Sequence, residues 1–198
     1  NDFTWKDFQD RNNSELVAIF GNFVNRTWVL MHKLCKGKVP RLHEDKMDDT
    51  DRQMLAEFPI SKTKVEESIE HYKFREALFE AIDLARKGNK YLQEKEPWIL
   101  AKNLASNPQN QEGIDNCLHI CLQLCANLSI LINPFLPFTA KKLIYMMKVV
   151  EKMLDWENAG KTNLLSVGYS LREPQLLFRK IEDEEVAAQV EKLNVGSK

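Results

Sequence analysis

Glycine and proline are scarce in this sequence, with 7 of each among 198 residues. A chain built from many tight β-turns needs more of both, because glycine supplies positive φ angles and proline fixes turn geometry. Long apolar runs are also missing, since none reaches the roughly 20 residues of a membrane-spanning helix. These absences favour a helical protein without a membrane partner, and a hydrophobic fraction of 43% is ordinary for a globular fold.

Cysteine occurs four times, at Cys35, Cys117, Cys121 and Cys125. The last three recur at every fourth position and would line one face of a helix. Cysteines on successive turns of one helix are poorly placed for disulfides, and no Cys-x-x-Cys or spaced His pair suggests metal binding. We therefore predict buried structural thiols, no metal site and a reducing, cytoplasmic location.

Motifs of catalysis and nucleotide binding are absent as well. The sequence contains no Gly-x-x-x-x-Gly-Lys loop, no Gly-x-Gly-x-x-Gly, no His-Glu-x-x-His and no Gly-x-Ser-x-Gly. Its histidines are scattered, with no acid or nucleophile at a telling spacing. We predict that no residue of this chain is catalytic. The net charge of −1 is uninformative, because a local basic strip can bind RNA within a neutral protein.

The start of the chain, Asn1-Asp2-Phe3-Thr4-Trp5, has neither an initiator Met nor the pattern of a signal peptide. We expect the sequence to begin within a longer protein. The part that would precede it matters for function, because the chain itself carries no catalytic motif.

Apolar residues recur at helical spacing over most of the chain, which predicts an all-α antiparallel helix bundle over residues 1–154. Pro59 should interrupt or kink the second long helix, because proline lacks an amide proton. Residues 155–198 are predicted to form an irregular C-terminal extension that packs back on the bundle and ends in a short helix. The predicted helices cover about 4–36, 49–58 with 61–72, 73–94, 97–103, 112–132, 137–150 and 183–193.

A recognition surface is the remaining functional signal. Asn22 and Arg26 are four residues apart and adjacent on one helical face, where an amide and a guanidinium can bond the edge of an unstacked base. Trp98 follows Pro97 at the start of a helix, and RNA loops are read by stacking bases on such rings. Alternatives remain open, since Trp98 could be a core residue and the Asn–Arg pair a solvated flank.

Several blocks of the sequence resemble the methionyl-tRNA synthetase family, in its C-terminal anticodon-binding domain. They span nearly the whole chain in order, although the extension has Gly168-Tyr169 where that family usually has Gly-His. The matching blocks are Asp7-Phe8 with Arg11-Asn12-Asn13-Ser14-Glu15-Leu16, Gly21-Asn22-Phe23-Val24-Asn25-Arg26, His32-Lys33, Gly37-Lys38-Val39-Pro40, Gly88-Asn89-Lys90-Tyr91-Leu92, Glu96-Pro97-Trp98, Asn133-Pro134-Phe135-Leu136-Pro137-Phe138, Pro174, Leu177-Phe178 and Lys180-Ile181-Glu182-Asp183.

The resemblance implies residue roles in reading a CAU anticodon. Asn22 and Arg26 would bond its bases, particularly the first cytosine, and Trp98, positioned by Pro97, would stack on a base. Asn89 and Tyr91 would line or support the pocket. Phosphate contacts are predicted for Lys33, Lys36 and Lys90, which lie near these motifs in sequence.

The resemblance also implies a division of labour. The anticodon loop of tRNA(Met) and a catalytic domain of the same chain would be the partners, and the fragment would be a monomer that needs no cofactor. ATP with Mg²⁺, and a structural Zn²⁺ in some members, would belong to the full-length methionine–tRNA ligase. The family's nucleotide-binding motifs, His-Ile-Gly-His and Lys-Met-Ser-Lys-Ser, are missing, so this fragment should be inactive alone. The alternative is a free-standing helical bundle that binds RNA or protein.

Overall fold

The computed structural model describes residues 2–196, and within that range the only pairing of extended segments is one isolated bridge between Lys38 and Ser170. The predicted all-α class is confirmed. Eight α-helices lie in this part of the chain, joined by 3₁₀ turns and loops: α1 (Trp5–Arg11), α2 (Asn22–Cys35), α3 (Asp49–Glu70), α4 (Phe74–Lys95), α5 (Pro97–Lys102), α6 (Asn110–Ile132), α7 (Pro137–Met147) and α8 (Asp183–Val195).

The first predicted helix forms in three abutting parts. Thr4 caps α1, its hydroxyl accepting a hydrogen bond from the Asp7 amide at 3.0 Å. Between α1 and α2, residues Asn12–Gly21 wind as a π-helix. This segment was not predicted, and its wider turns shift the faces that follow it. We call α1, the π-helix and α2 together the first helical rod. It ends where Lys36 adopts a left-handed φ of 57°, immediately before Gly37.

Pro59 lies inside α3, and the predicted interruption of that helix is wrong. The helix starts strongly, because Asp48 and Asp51 form a reciprocal capping box. On either side of the proline, Phe58 and Val65 are completely buried. Burial of this apolar face outweighs the hydrogen bond that proline cannot donate, as tertiary packing commonly overrides local propensity.

Helix α6 forms the centre of the core. Contrary to the expectation from the sequence, it is long and apolar enough to cross a membrane, but 94% of its most apolar window is buried inside the bundle. Its position in the core therefore accounts for its composition. Cys117, Cys121 and Cys125 lie buried along it as free thiols, as predicted, while Cys35 on α2 is partly exposed.

The described part of the C-terminal extension contacts the helices through buried polar groups. The Gln123 side chain accepts from the Leu165 amide at 2.9 Å and donates to the Leu165 carbonyl at 2.7 Å. The buried Trp28 indole donates to the Arg172 carbonyl at 3.1 Å. These bonds satisfy an irregular backbone that lacks a helical ladder of its own. The division of the chain at residues 154 and 155 stays a prediction.

Candidate nucleic-acid interface

A left-handed residue creates the start of α5. Glu96 adopts φ 46° and ψ 56° directly after α4. Pro97 then occupies the first helical position, as predicted, where its fixed φ suits a helix and its missing amide proton is not needed. The turn leaves Trp98 partly buried against the core, with the Arg26 Cζ 5.5 Å from the ring centroid. Arg26 thus makes a cation–π contact with the indole.

Asn89 connects α4 to the first helical rod. Its Oδ1 lies 3.4 Å from both Asn22 Nδ2 and Arg26 Nη1, and its own Nδ2 donates to the Ile19 carbonyl at 3.0 Å. Asn22 is exposed, whereas Arg26 and Asn89 are partly buried. The structure therefore brings four predicted site residues into one group, which we term the polar cluster: Asn22, Arg26, Asn89 and Trp98.

Gly88 allows α4 to approach the other helices closely at this point. A Cβ atom there would lie 2.7 Å from Leu124 Cδ2 and 2.8 Å from Phe23 Cε2. Both distances are shorter than the non-bonded contacts that Cβ atoms make, so a side chain at this position would push the helices apart. Asn89 is the next residue, and its bonds to the first rod depend on this close packing.

Tyr91 lies elsewhere, in a buried network with the start of α3. Its hydroxyl donates to Asp51 Oδ1 at 2.6 Å, and Lys95 Nζ lies 3.1 Å from the same oxygen and 2.7 Å from Asp48 Oδ2. Burial, reinforced by neighbouring thiols and the Asp51 carboxylate, raises the pKa of Tyr91 far above its usual range. Burial opposes the charge on Lys95, but bonds to the two carboxylates raise its pKa overall. The last residue of α4 is Lys95, directly before Glu96. By fixing this end of α4, Tyr91 can influence the position of Trp98 in the polar cluster.

The three predicted phosphate-binding lysines separate into two locations. Lys33 on the last turn of α2 and Lys36 immediately after that helix are both exposed, and Lys33 lies seven residues after Arg26 and so on the same helical face. Lys90 is exposed toward α3, where it lines a groove with Thr50 and pairs with Glu94 at 3.8 Å. Lys33 therefore continues the face that carries the polar cluster, whereas Lys36 is the left-handed residue that ends α2.

A cavity beside Asn22 was missed by sequence reasoning. It has a volume of about 480 Å³ and is bounded by Asn22 and Asn25 on one side and by Phe178 and Lys180 on the other. Its walls come from opposite ends of the chain, so no local spacing could have revealed it. Asn22 therefore belongs to the polar cluster and also lines this cavity.

Comparison with known proteins identifies the family. Residues 39–197 match the family described as the anticodon binding domain of methionyl tRNA ligase. The chain belongs to this family. The methionine–tRNA ligases of Phocaeicola vulgatus and Cytophaga hutchinsonii are each 50% identical to it over 98% of its length. The chain spans only 27% of the length of either relative.

Solved structures of methionyl-tRNA synthetase share the fold. The apo enzyme of Mycobacterium tuberculosis superimposes with a TM-score of 0.79 at 21% identity, over 91% of this chain and 35% of that one. The same enzyme bound to methionyl-adenylate gives a TM-score of 0.72 at 22% identity, over 85% and 32% of the two chains. Family membership favours the anticodon-binding interpretation over an unrelated helical bundle.

Proposed function

We propose that this chain selects tRNA(Met) by binding its CAU anticodon, for methionylation by a catalytic domain elsewhere in a longer ligase. The observation that carries this proposal is the polar cluster, which places an exposed amide, a guanidinium and an indole within reach of one another. Family membership indicates that the ligand is a tRNA. The side chains of the polar cluster are suited to binding an unstacked base.

The cluster can both stack and bond a base. The Trp98 ring offers an apolar surface for a base released from the anticodon stack, and such stacking is sequence-tolerant. Asn22 and Arg26 offer hydrogen bonds to the base edge, and edge bonds carry sequence specificity. We assign the first cytosine to this edge. Pro97 and Asn89 act as supports for these groups, and Tyr91 supports them from within the bundle.

Phosphate contacts would complete the binding surface. Lys33 and Lys36 continue along α2 from Arg26 and can follow an RNA backbone that leaves the polar cluster. The contact predicted for Lys90 requires the RNA to extend across α4 toward α3. Each such contact adds affinity without sequence preference.

Catalysis and its cofactors belong to the rest of the longer protein. Over residues 2–196, no group of three or more His, Cys, Asp and Glu side chains is placed to hold a metal ion. We assign ATP, Mg²⁺ and any structural Zn²⁺ to the catalytic part, because this chain spans only 27% of the ligases that it matches. This chain would act in the cytoplasm as a monomeric tRNA-selecting module, with no membrane partner. Methionine-dependent ATP–pyrophosphate exchange by this chain alone would contradict the assignment.

The direct test titrates the chain with fluorescent anticodon stem-loops, CAU and UAU, at two salt concentrations. Loss of a good base contact should weaken binding by about 1–3 kcal/mol. The difference should shrink in Arg26→Ala, and both loops should bind more weakly to Trp98→Ala. Phe138→Ala is the matched control, because Phe138 is 79% exposed on α7 and lies outside the cluster. Equal, salt-sensitive binding of both loops by the unaltered chain would rule out anticodon reading.

A further inference from the structure

We infer that Asn89 determines base specificity by fixing which end of the Asn22 amide faces the RNA. The inference rests on the proposed function, since it concerns the same site. It adds a residue that need not touch the base, yet sets the hydrogen-bond pattern that the base encounters. Asn89 is thus a positioning residue for Asn22 and Arg26.

The orientation of the Asn89 amide is unambiguous. Its two ends face groups that cannot change role, because the Ile19 carbonyl can only accept a hydrogen bond and the Arg26 guanidinium can only donate. The Nδ2 of Asn89 must therefore point to Ile19, 3.0 Å away, and its Oδ1 to Arg26 Nη1, 3.4 Å away. A flipped Asn89 amide would place its oxygen against the Ile19 carbonyl oxygen and its NH₂ group against the Arg26 N–H groups.

This orientation is passed on to Asn22. The same Asn89 Oδ1 lies 3.4 Å from the Asn22 amide and can only accept, so Asn22 must present its Nδ2 there. The Asn22 Oδ1 is then directed away from α4. Asn22 is exposed on the rod, and without Asn89 its amide could turn over freely. Arg26 donates one N–H to Asn89, and its other N–H groups are further donors on the helical face that it shares with Asn22.

An outward acceptor next to outward donors suits cytosine and opposes uracil. Cytosine carries a donor at N4 beside acceptors at N3 and O2, so both parts of its edge find partners. Uracil carries an acceptor at O4 and a donor at N3. Its O4 would face the Asn22 oxygen, which also accepts, and its N3–H would face the Arg26 donors. A bound base would cover these side chains, and a base that leaves the covered polar groups unpaired is rejected. The fixed amide of Asn22 therefore converts a general base-binding surface into a cytosine-selective one.

The test compares the dissociation constants of UAU and CAU stem-loops as a ratio. The unaltered chain should prefer CAU by about tenfold or more, as expected for one good edge contact. Asn89→Ala should bring the ratio close to one, because Asn22 can then offer either end of its amide. Adding Asn22→Asp to Asn89→Ala should restore the preference, because a carboxylate only accepts. Restoration is the decisive readout, since a purely structural defect would not be repaired by a second change.

Each outcome separates the inference from the proposed function. Equal binding of the two loops by the unaltered chain would overturn both. A normal preference that survives Asn89→Ala, or a lost one that Asn22→Asp does not restore, would overturn only the role of Asn89. Thermal unfolding monitors the fold of each variant. Asn89→Leu, with an apolar side chain of similar shape, repeats the comparison if the alanine variant is unstable.

Discussion

The hydroxyl of Tyr91 donates a 2.6 Å hydrogen bond to the buried carboxylate of Asp51, joining the end of α4 to the first turn of α3. Lys95 completes the join with ion pairs to Asp51 and Asp48. The residue after Lys95 is Glu96, whose left-handed backbone directs the chain into α5. The network therefore fixes the base of the turn that presents Trp98.

Asp51→Ala should lower the free energy of unfolding by roughly 3 kcal/mol, because the buried Tyr91 hydroxyl loses its acceptor and Lys95 keeps only one of its two carboxylate partners, Asp48. Asp49→Ala is the matched control on the same turn. The Asp49 side chain is 94% exposed and pairs with Arg52 across a solvent-exposed turn, so its loss should cost at most about 0.5 kcal/mol. Urea titration followed by circular dichroism measures both, and equal losses would contradict a structural role for the network.

Gly88→Ala should destabilise the bundle by roughly 1–3 kcal/mol, because the new methyl group overlaps the Phe23 ring and a Leu124 methyl group. It should also weaken stem-loop binding by displacing Asn89. Gly113→Ala is the control, since its added Cβ meets only the end of the Leu100 side chain at 3.0 Å. Alanine is the better helix former by about 1 kcal/mol, so Gly113→Ala should be neutral or stabilising. A neutral Gly88→Ala would show that α4 can move without cost.

The lysines should differ in their effect on salt dependence. Each lost phosphate contact lowers the slope of log K against log salt by about 0.7 for single-stranded RNA. Lys33→Ala should produce a decrease of about this size while leaving the preference for CAU unchanged. Lys90→Ala tests whether the RNA reaches α3, because Lys90 lies in the other groove. An unchanged slope in Lys33→Ala would show that the RNA backbone does not follow α2.

Acidification should destabilise the fold through His119. Burial lowers the pKa of His119 below its ordinary value of 6.5, opposed in part by its bond to the Pro40 carbonyl. The unfolded chain therefore binds this proton more tightly, and the free energy of unfolding should fall as pH drops below 6.5 toward the folded-state pKa. His119→Gln should flatten this dependence between neutral and mildly acidic pH. Replacing the exposed His71 by Gln should leave the dependence intact, and a flattening there instead would point to a different histidine.

Several features of the structure were predictable from residues that lie close together in the sequence, without knowledge of any tertiary contact. The start of α3 at Asp49, the start of α5 at Pro97 and the shared face of Asn22 and Arg26 each depend on interactions within a few residues. Such interactions can be recognised directly from spacing. The family blocks added residue roles, and of these the structure gathers Asn22, Arg26, Asn89 and Trp98 while directing Tyr91 toward α3.

Tertiary packing decided the rest. Pro59 stays within α3 because buried Phe58 and Val65 hold that helix together, and the apolar α6 lies in a core because other helices cover it. The sequence by itself determined the helical class, most helix starts and the candidate base-binding residues. Only the tertiary structure decided that Asn89 faces Asn22 and Arg26, because their contact joins residues more than 60 positions apart through the close approach that Gly88 permits.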